Sequence, residues 1–215
     1  SIHMVGDHAF DGCRNIKELN LTDRITVIGD YAFQGMQLLT AVTVYNSTNS
    51  IGRGAFQGCN NIVDIILPFT GKNDTAVQTE KDGYEAVFGW IFGYRYEYNS
   101  SINGAASQGF YNKQVSSTDG TICQYVYIPS NEKYYHAEYL YYYYIPTTLR
   151  TVTITKQTDI PLAAFNGCST LTQITYTNPI QSTGEYAFQN CVTPNQTSPL
   201  EIRQYALLPT KRETI

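Results

Sequence analysis

An α/β-type repeat solenoid, with short parallel strands stacked rung on rung, is the fold this 215-residue sequence predicts. The first observation is one phrase repeated five times. Ile28-Gly29-Asp30-Tyr31-Ala32-Phe33-Gln34-Gly35-Met36 recurs from Val5 to Cys13, Ile51 to Cys59, Ile160 to Cys168 and Thr183 to Cys191. The second is spacing: the phenylalanines at 10, 33 and 56 lie 23 residues apart, as do those at 165 and 188. A fixed period of this size marks a chain in which each supersecondary unit buries its apolar side against the next. The third observation is that each phrase is followed by apolar residues at period two, the pattern of a half-buried strand.

Each repeat has two halves. In the first, Gly6, Gly29, Gly52 and Gly184 stand four residues before phenylalanine, where a tight turn is expected to need positive φ. Gly12, Gly35, Gly58 and Gly167 stand two residues after it and read the same way. Phe10, Phe33, Phe56, Phe165 and Phe188 are expected to form one buried stack. The next slot holds Cys13, Cys59, Cys168 and Cys191, with Met36 in the second repeat, which is the exchange a small apolar slot allows. Free buried thiols are therefore expected, with a Cys168–Cys191 bridge between adjacent rungs as the alternative. In the second half come Ile16-x-x-Leu19-x-Leu21, Leu39-x-x-Val42-x-Val44, Ile62-x-x-Ile65-x-Leu67, Leu149-x-x-Val152-x-Ile154 and Leu171-x-x-Ile174-x-Tyr176. On successive rungs these would form a parallel sheet with strands about 4.8 Å apart.

The combined pattern I-G-x-x-A-F-x-G-C-x-x-L-x-x-I-x-L resembles the BspA-type (Treponema-type) leucine-rich repeat family, over about residues 2–68 and 149–192. The resemblance implies a right-handed, curved solenoid in a secreted or surface-attached protein. It also implies non-catalytic binding to host or microbial surface components. Pro161-Leu162-Ala163 and Thr183 depart from the pattern. The family has no fixed binding residues, so none is carried over.

Three regions follow: repeats over 1–68, a Tyr-rich insert over 69–148, and further repeats over 149–215 that decay after Cys191. The first copy starts partway through a repeat, so the sequence reads as a piece of a longer chain, and Ile202 to Leu207 is a faint further copy. Within the insert, 70–83 reads as an exposed loop, and Tyr84 to Gly93 is apolar at helical spacing. Phe88 is expected to replace the missing spine phenylalanine, because a gap there would leave a costly cavity. Residues 99–120 are rich in Ser, Asn and Gly and read as a mobile excursion. Ile122 to Ile128 and Tyr139 to Ile145 read as strands at the edge of an extended sheet. Fourteen of the 19 tyrosines lie between 84 and 144.

Composition narrows the function. Net charge is −4 and the longest basic run is Lys211-Arg212, which argues against nucleic acid, whose phosphates need clustered cations. No apolar run approaches the roughly 18 residues of a membrane span. His8 occupies a slot shared with Tyr31, Gly54, Ala163 and Tyr186 and reads as surface decoration. His136-Ala137-Glu138 makes no complete metal site, and no nucleophile elbow or phosphate loop appears. No catalytic residue, metal or cofactor is expected. Five Asn-x-Ser/Thr sequons are no more than a composition rich in those residues produces.

The expected function is a monomeric extracellular binding or adhesion module for a protein or glycan on a host or microbial surface. A structural spacer in a larger surface protein is the alternative, and an enzyme accessory domain a remote one. Tyrosine offers large amphipathic contact area at low entropic cost. The candidate binding residues are therefore Trp90, Tyr94, Tyr96, Tyr98, Tyr142 and Tyr144. In a strand, Tyr141 and Tyr143 face one way and Tyr142 and Tyr144 the other, so one pair is expected to stay partly exposed.

Overall fold

The structure, a computed structural model, describes residues 2–75, 83–98, 120–128, 139–191, 201–204 and 213–214. In the first repeats the strands are β1 (Met4–Val5), β2 (Glu18–Asn20), β3 (Val27–Ile28), β4 (Ala41–Thr43), β5 (Ser50–Ile51) and β6 (Asp64–Leu67). The insert carries β7 (Tyr94–Tyr98), β8 (Thr121–Ile128) and β9 (Tyr139–Pro146). The later strands are β10 (Thr151–Ile154), β11 (Asp159–Ile160), β12 (Gln173–Tyr176), β13 (Ser182–Thr183), β14 (Glu201–Gln204) and β15 (Glu213–Thr214).

The principal sheet runs β2-β4-β6-β10-β12-β14 in parallel, with β15 antiparallel on β14. Successive rungs align one apolar position with the next: Leu19, Val42, Ile65, Val152, Ile174 and Ile202. Alternation turns the first five of these inward and leaves Asn20, Thr43, Ile66, Thr153 and Thr175 on the other face. A second parallel ladder, β1-β3-β5 and then β11-β13, runs along the turn halves of the repeats. The described rungs close through turns, and the helical segments among the described residues are two short 3-10 stretches in the insert. Because β10 pairs directly with β6, the solenoid is continuous across the insert.

The phenylalanine stack fills the core between the ladders. Phe10 lies 5.6 Å from Phe33, Phe33 5.4 Å from Phe56, and Phe165 5.8 Å from Phe188, all with nearly parallel rings. Phe33, Phe56 and Phe165 are fully buried, but Phe10 is 43% exposed and Phe188 half-buried. Both sit on end rungs, where a ring is covered by a neighbouring rung from one side only. Cys13 is half-buried for the same reason, against the expectation that the whole cysteine column is buried.

The glycines divide into two kinds. Gly12, Gly35, Gly58 and Gly167 take φ between 72° and 78°, as expected of turn glycines. Gly29, Gly52 and Gly184 do not adopt positive φ, so the reason anticipated for them is wrong. A Cβ on Gly52 would run into the carbonyl of Gly29, and one on Gly184 into Leu162. Close approach of adjacent rungs is what requires glycine there. The left-handed residues of this half-repeat are instead His8, Tyr31, Gly54, Ala163 and Tyr186, at φ of 52° to 62°. His8 is exposed and its Nδ1 lies 3.3 Å from Asp11 Oδ2.

Cys13, Cys59, Cys168 and Cys191 are free. The thiols of Cys59 and Cys191 donate to the carbonyl oxygens of Phe33 and Phe165, at 3.2 and 3.0 Å. Burial pushes the Cys59 thiol up to about 11 and that of Cys191 up to about 12. Burial, and then the proximity of Cys191, raises Cys168 as well. A thiol that keeps its proton only in the fold stabilises it fully below the ordinary value of 9.0. That stability is lost as pH rises through the folded value. The melting temperature should therefore fall between about pH 9 and 11; a flat profile there would contradict protonated buried thiols. In the unfolded protein, alkylation without reductant should add five labels, one for each cysteine. Fewer labels on protein never exposed to oxidant would reveal a bridge.

Candidate binding surface at the insert

The insert meets the solenoid where one repeat is missing. After β6 the chain does not emerge as an exposed loop at once: Phe69 and Thr70 are buried, and the Thr70 amide donates to Gln157 Oε1 at 2.8 Å. The outer ladder continues through Lys72, whose carbonyl accepts from Ile51 N at 2.8 Å. Its ammonium pairs with both carboxylate oxygens of Glu85 at 2.8 Å.

The first 3-10 stretch is Gly83–Ala86 and the second Phe88–Phe92, whose residues are all buried. The second serves both neighbouring rungs. Towards the first repeats, Gly54 N donates to Trp90 O at 2.9 Å and Phe56 N to Ile91 O at 2.8 Å. Towards the later ones, Phe88 N donates to Ala164 O at 2.9 Å. Phe88 also packs its ring 5.2 Å from Phe165 and 5.5 Å from Phe92. The spine is thus bridged at Phe88 as expected, with Phe92 beside it.

Trp90 is the clearest correction to the expected aromatic platform. It is 7% exposed, and its indole Nε1 donates to the Ile51 carbonyl at 2.8 Å. In regular rungs the equivalent carbonyls of Val5, Ile28 and Ile160 accept from Gly29 N, Gly52 N and Gly184 N. The indole N–H replaces the missing glycine amide and keeps a buried carbonyl paired.

The insert sheet is antiparallel in the order β7-β9-β8 and separate from the solenoid sheet, so β8 and β9 do not extend that sheet. Tyr94 pairs with Tyr143, Tyr96 with Tyr141 and Tyr98 with Tyr139; on the other side, Gln124 pairs with Tyr143 and Cys123 with Tyr144. Tyr142 and Tyr143 are both buried, at 3% and 0%. Both faces of β9 are therefore covered at this end, and the separation into a wet and a dry pair fails there. Tyr144 is half-buried, as is Tyr94, which stacks on Trp90 at 5.9 Å. The Tyr96, Tyr98 and Tyr141 side chains, with residues 99–119 and His136 to Glu138, lie outside the described residues.

Sequence reasoning missed Gln124. Its fully buried side chain accepts from Gly89 N at 2.7 Å and donates to Ala163 O and Ala164 O at 3.0 and 2.9 Å. One amide thus pairs Gly89 N and gives a second donor to two carbonyls that also accept from Asn166 N and Phe88 N. The available signal was a glutamine in phase with Ile122 and Val126 on one strand face.

Arg53 was also missed. It occupies the slot held by Asp7, Asp30 and Glu185 in other repeats. Its guanidinium carbon lies 5.3 Å from the Tyr31 ring centre and 5.6 Å from that of Tyr94. His8 stacks on the far side of Tyr31 at 5.1 Å. A cation–aromatic column thus runs from the first rung to the insert. No group of three His, Cys, Asp or Glu suited to a metal occurs among the described residues, nor does a helix long and apolar enough to cross a membrane.

The model of the BspA type Leucine rich repeat region matches residues 1–76 and 137–206 in six copies. Such repeats are typically non-catalytic scaffolds serving as interaction or structural modules, and the family is commonly surface-associated. No curated protein matches the chain. A crystal structure of a leucine-rich repeat protein from Bacteroides ovatus is similar at 17% identity and a TM-score of 0.34. The similarity covers 88% of this chain and 45% of that one. With the repeat model matching over half its length, the chain belongs to the BspA-type leucine-rich repeat family.

Proposed function

We propose that this chain is a non-catalytic extracellular binding module, monomeric and carried at a cell surface. It recognises a protein or glycan of a host or microbial surface through the flank bearing the insert. The observation that carries this reading is a tyrosine-rich sheet docked on the solenoid, with Tyr94 half-buried beside Arg53 and Tyr144 half-buried on the neighbouring strand. Tyr96 and Tyr98 continue the same edge strand and extend the candidate surface. Trp90, itself buried, stacks against Tyr94, and Tyr142 is buried in the same sheet.

The spacer reading draws on the solenoid ladder, which passes the insert without a break. An array of glycans and surface proteins probed with the purified chain separates the two. Retention on a defined partner, weakened by Tyr144→Ser with the melting temperature held within about 2 °C, is the expected result. Tyr143→Ser should instead lower the melting temperature. Absence of any retained partner, or a partner indifferent to changes at Tyr94, Tyr96, Tyr98 and Tyr144, would leave the spacer reading standing.

A further inference from the structure

The cations of the described surface are not alike. Lys72 is paired with Glu85, and Lys156 Nζ lies 2.8 Å from Asp74 Oδ2. Arg53 belongs to none of the ion pairs found among the described residues. Its Nε is buried and has no hydrogen-bond partner. The guanidinium carbon lies over the Tyr31 and Tyr94 rings, and Tyr94 also hydrogen-bonds the group. With Nε buried and Tyr94 bonded to one terminal N–H, the remaining terminal N–H edges are left for other groups. Those edges match a planar carboxylate in a bidentate arrangement.

Gly54 sharpens the geometry. A Cβ there would run into the Tyr31 ring, so glycine is what lets Tyr31 lie across this rung and reach Arg53. Asp30 accepts the Arg53 backbone amide through Oδ1 at 2.7 Å, which brings a carboxylate close to the guanidinium without closing an ion pair. Gln57 Oε1 is on the same side, near Gly54 and Gly93. These are acceptors: they repel a second carboxylate and match hydroxyl donors. With a net charge of −4, the chain as a whole also disfavours a polyanion.

We infer that Arg53, in contact with the Tyr31 and Tyr94 rings, is a binding point for the single carboxylate of an acidic sugar residue, with Asp30 and Gln57 accepting its hydroxyl protons. This inference rests on the binding-module reading and names the ligand class for one part of that surface.

The test uses the whole chain and glucuronic acid, with glucose as the neutral counterpart and a Glu-containing tripeptide as the non-sugar carboxylate. The Nε–H resonance of Arg53, assigned through its bonds in the wild-type chain, should shift on titration with glucuronic acid. Glucose should bind at least about tenfold more weakly, the discrimination expected from one charge-assisted bidentate contact. Arg53→Lys keeps the charge without the fork and should lose most of the affinity. An unmoved Arg53 signal, equal binding of glucose and glucuronic acid, or stronger binding of the tripeptide than of the acidic sugar would each overturn the inference. An array partner insensitive to Arg53→Lys would overturn it too, while leaving the binding-module reading intact. The signal shift is read on unaltered protein, so the test survives even if a variant folds poorly.

Discussion

Phe33→Ala should destabilise the chain by about 3–5 kcal/mol, the range for deleting a large aromatic side chain from a packed core. The ring is fully buried and stacked on both sides, 5.6 Å from Phe10 and 5.4 Å from Phe56. Its own rung supplies Ala32, Met36 and Leu39 to the same core, all fully buried. Backbone bonds from Phe10 N to Ala32 O and from Phe33 N to Ala55 O, both 2.8 Å, hold the rungs at fixed spacing. The rungs therefore cannot easily collapse into the space left by the ring. Phe10→Ala is the internal control: a ring 43% exposed and stacked on one side should cost only about 1 kcal/mol. Urea unfolding of both variants gives the comparison. Equal losses, or a loss below about 1 kcal/mol for Phe33→Ala, would show that the stack does not carry the stability assigned to it.

Gln124→Met is expected to destabilise the chain as well, for a different reason. Methionine nearly conserves the volume, so packing is little disturbed. What is lost is the partner of Gly89 N, while the Ala163 and Ala164 carbonyls keep Asn166 N and Phe88 N as donors. Leaving a buried backbone group unpaired costs about 1–3 kcal/mol, so a loss in that range is expected. The sole tryptophan, Trp90, is bonded to Ile51 on the next rung and reports on this junction by fluorescence. Its emission should move to longer wavelength at a lower urea concentration in Gln124→Met than in the wild type. Unchanged stability would mean that water can serve Gly89 N as well as the amide does.

Much of this architecture was legible because a solenoid writes its contacts into its own period. The rung contacts of Phe33 are to residues 23 positions away on either side, and those neighbours repeat the same phrase. The spine, the strand register and the turn glycines could all be read from one repeat and multiplied. Where a repeat had only one neighbour, multiplication overreached, as at Phe10, Phe188 and Cys13. The requirement at Gly29, Gly52 and Gly184 was visible, but its cause was not, since clearance between two backbones leaves no separate mark in sequence.

The insert obeys no such period. Gln124 meets Ala163 and Ala164 across 39 and 40 residues, and Trp90 meets Ile51 across 39. None of these partners is announced by a recurring motif. A tryptophan and a run of tyrosines carry the same letters whether they face solvent or pair a stranded carbonyl. By itself, the sequence determined the repeat, its spine and the place where the repeat stops. Tertiary structure alone decided which polar side chains replace the missing rung, burying Trp90, Gln124, Tyr142 and Tyr143 while leaving Arg53, Tyr94 and Tyr144 at the surface. The physical reason is that a broken ladder strands backbone donors and acceptors, and the side chains that satisfy them are chosen by proximity in the folded chain.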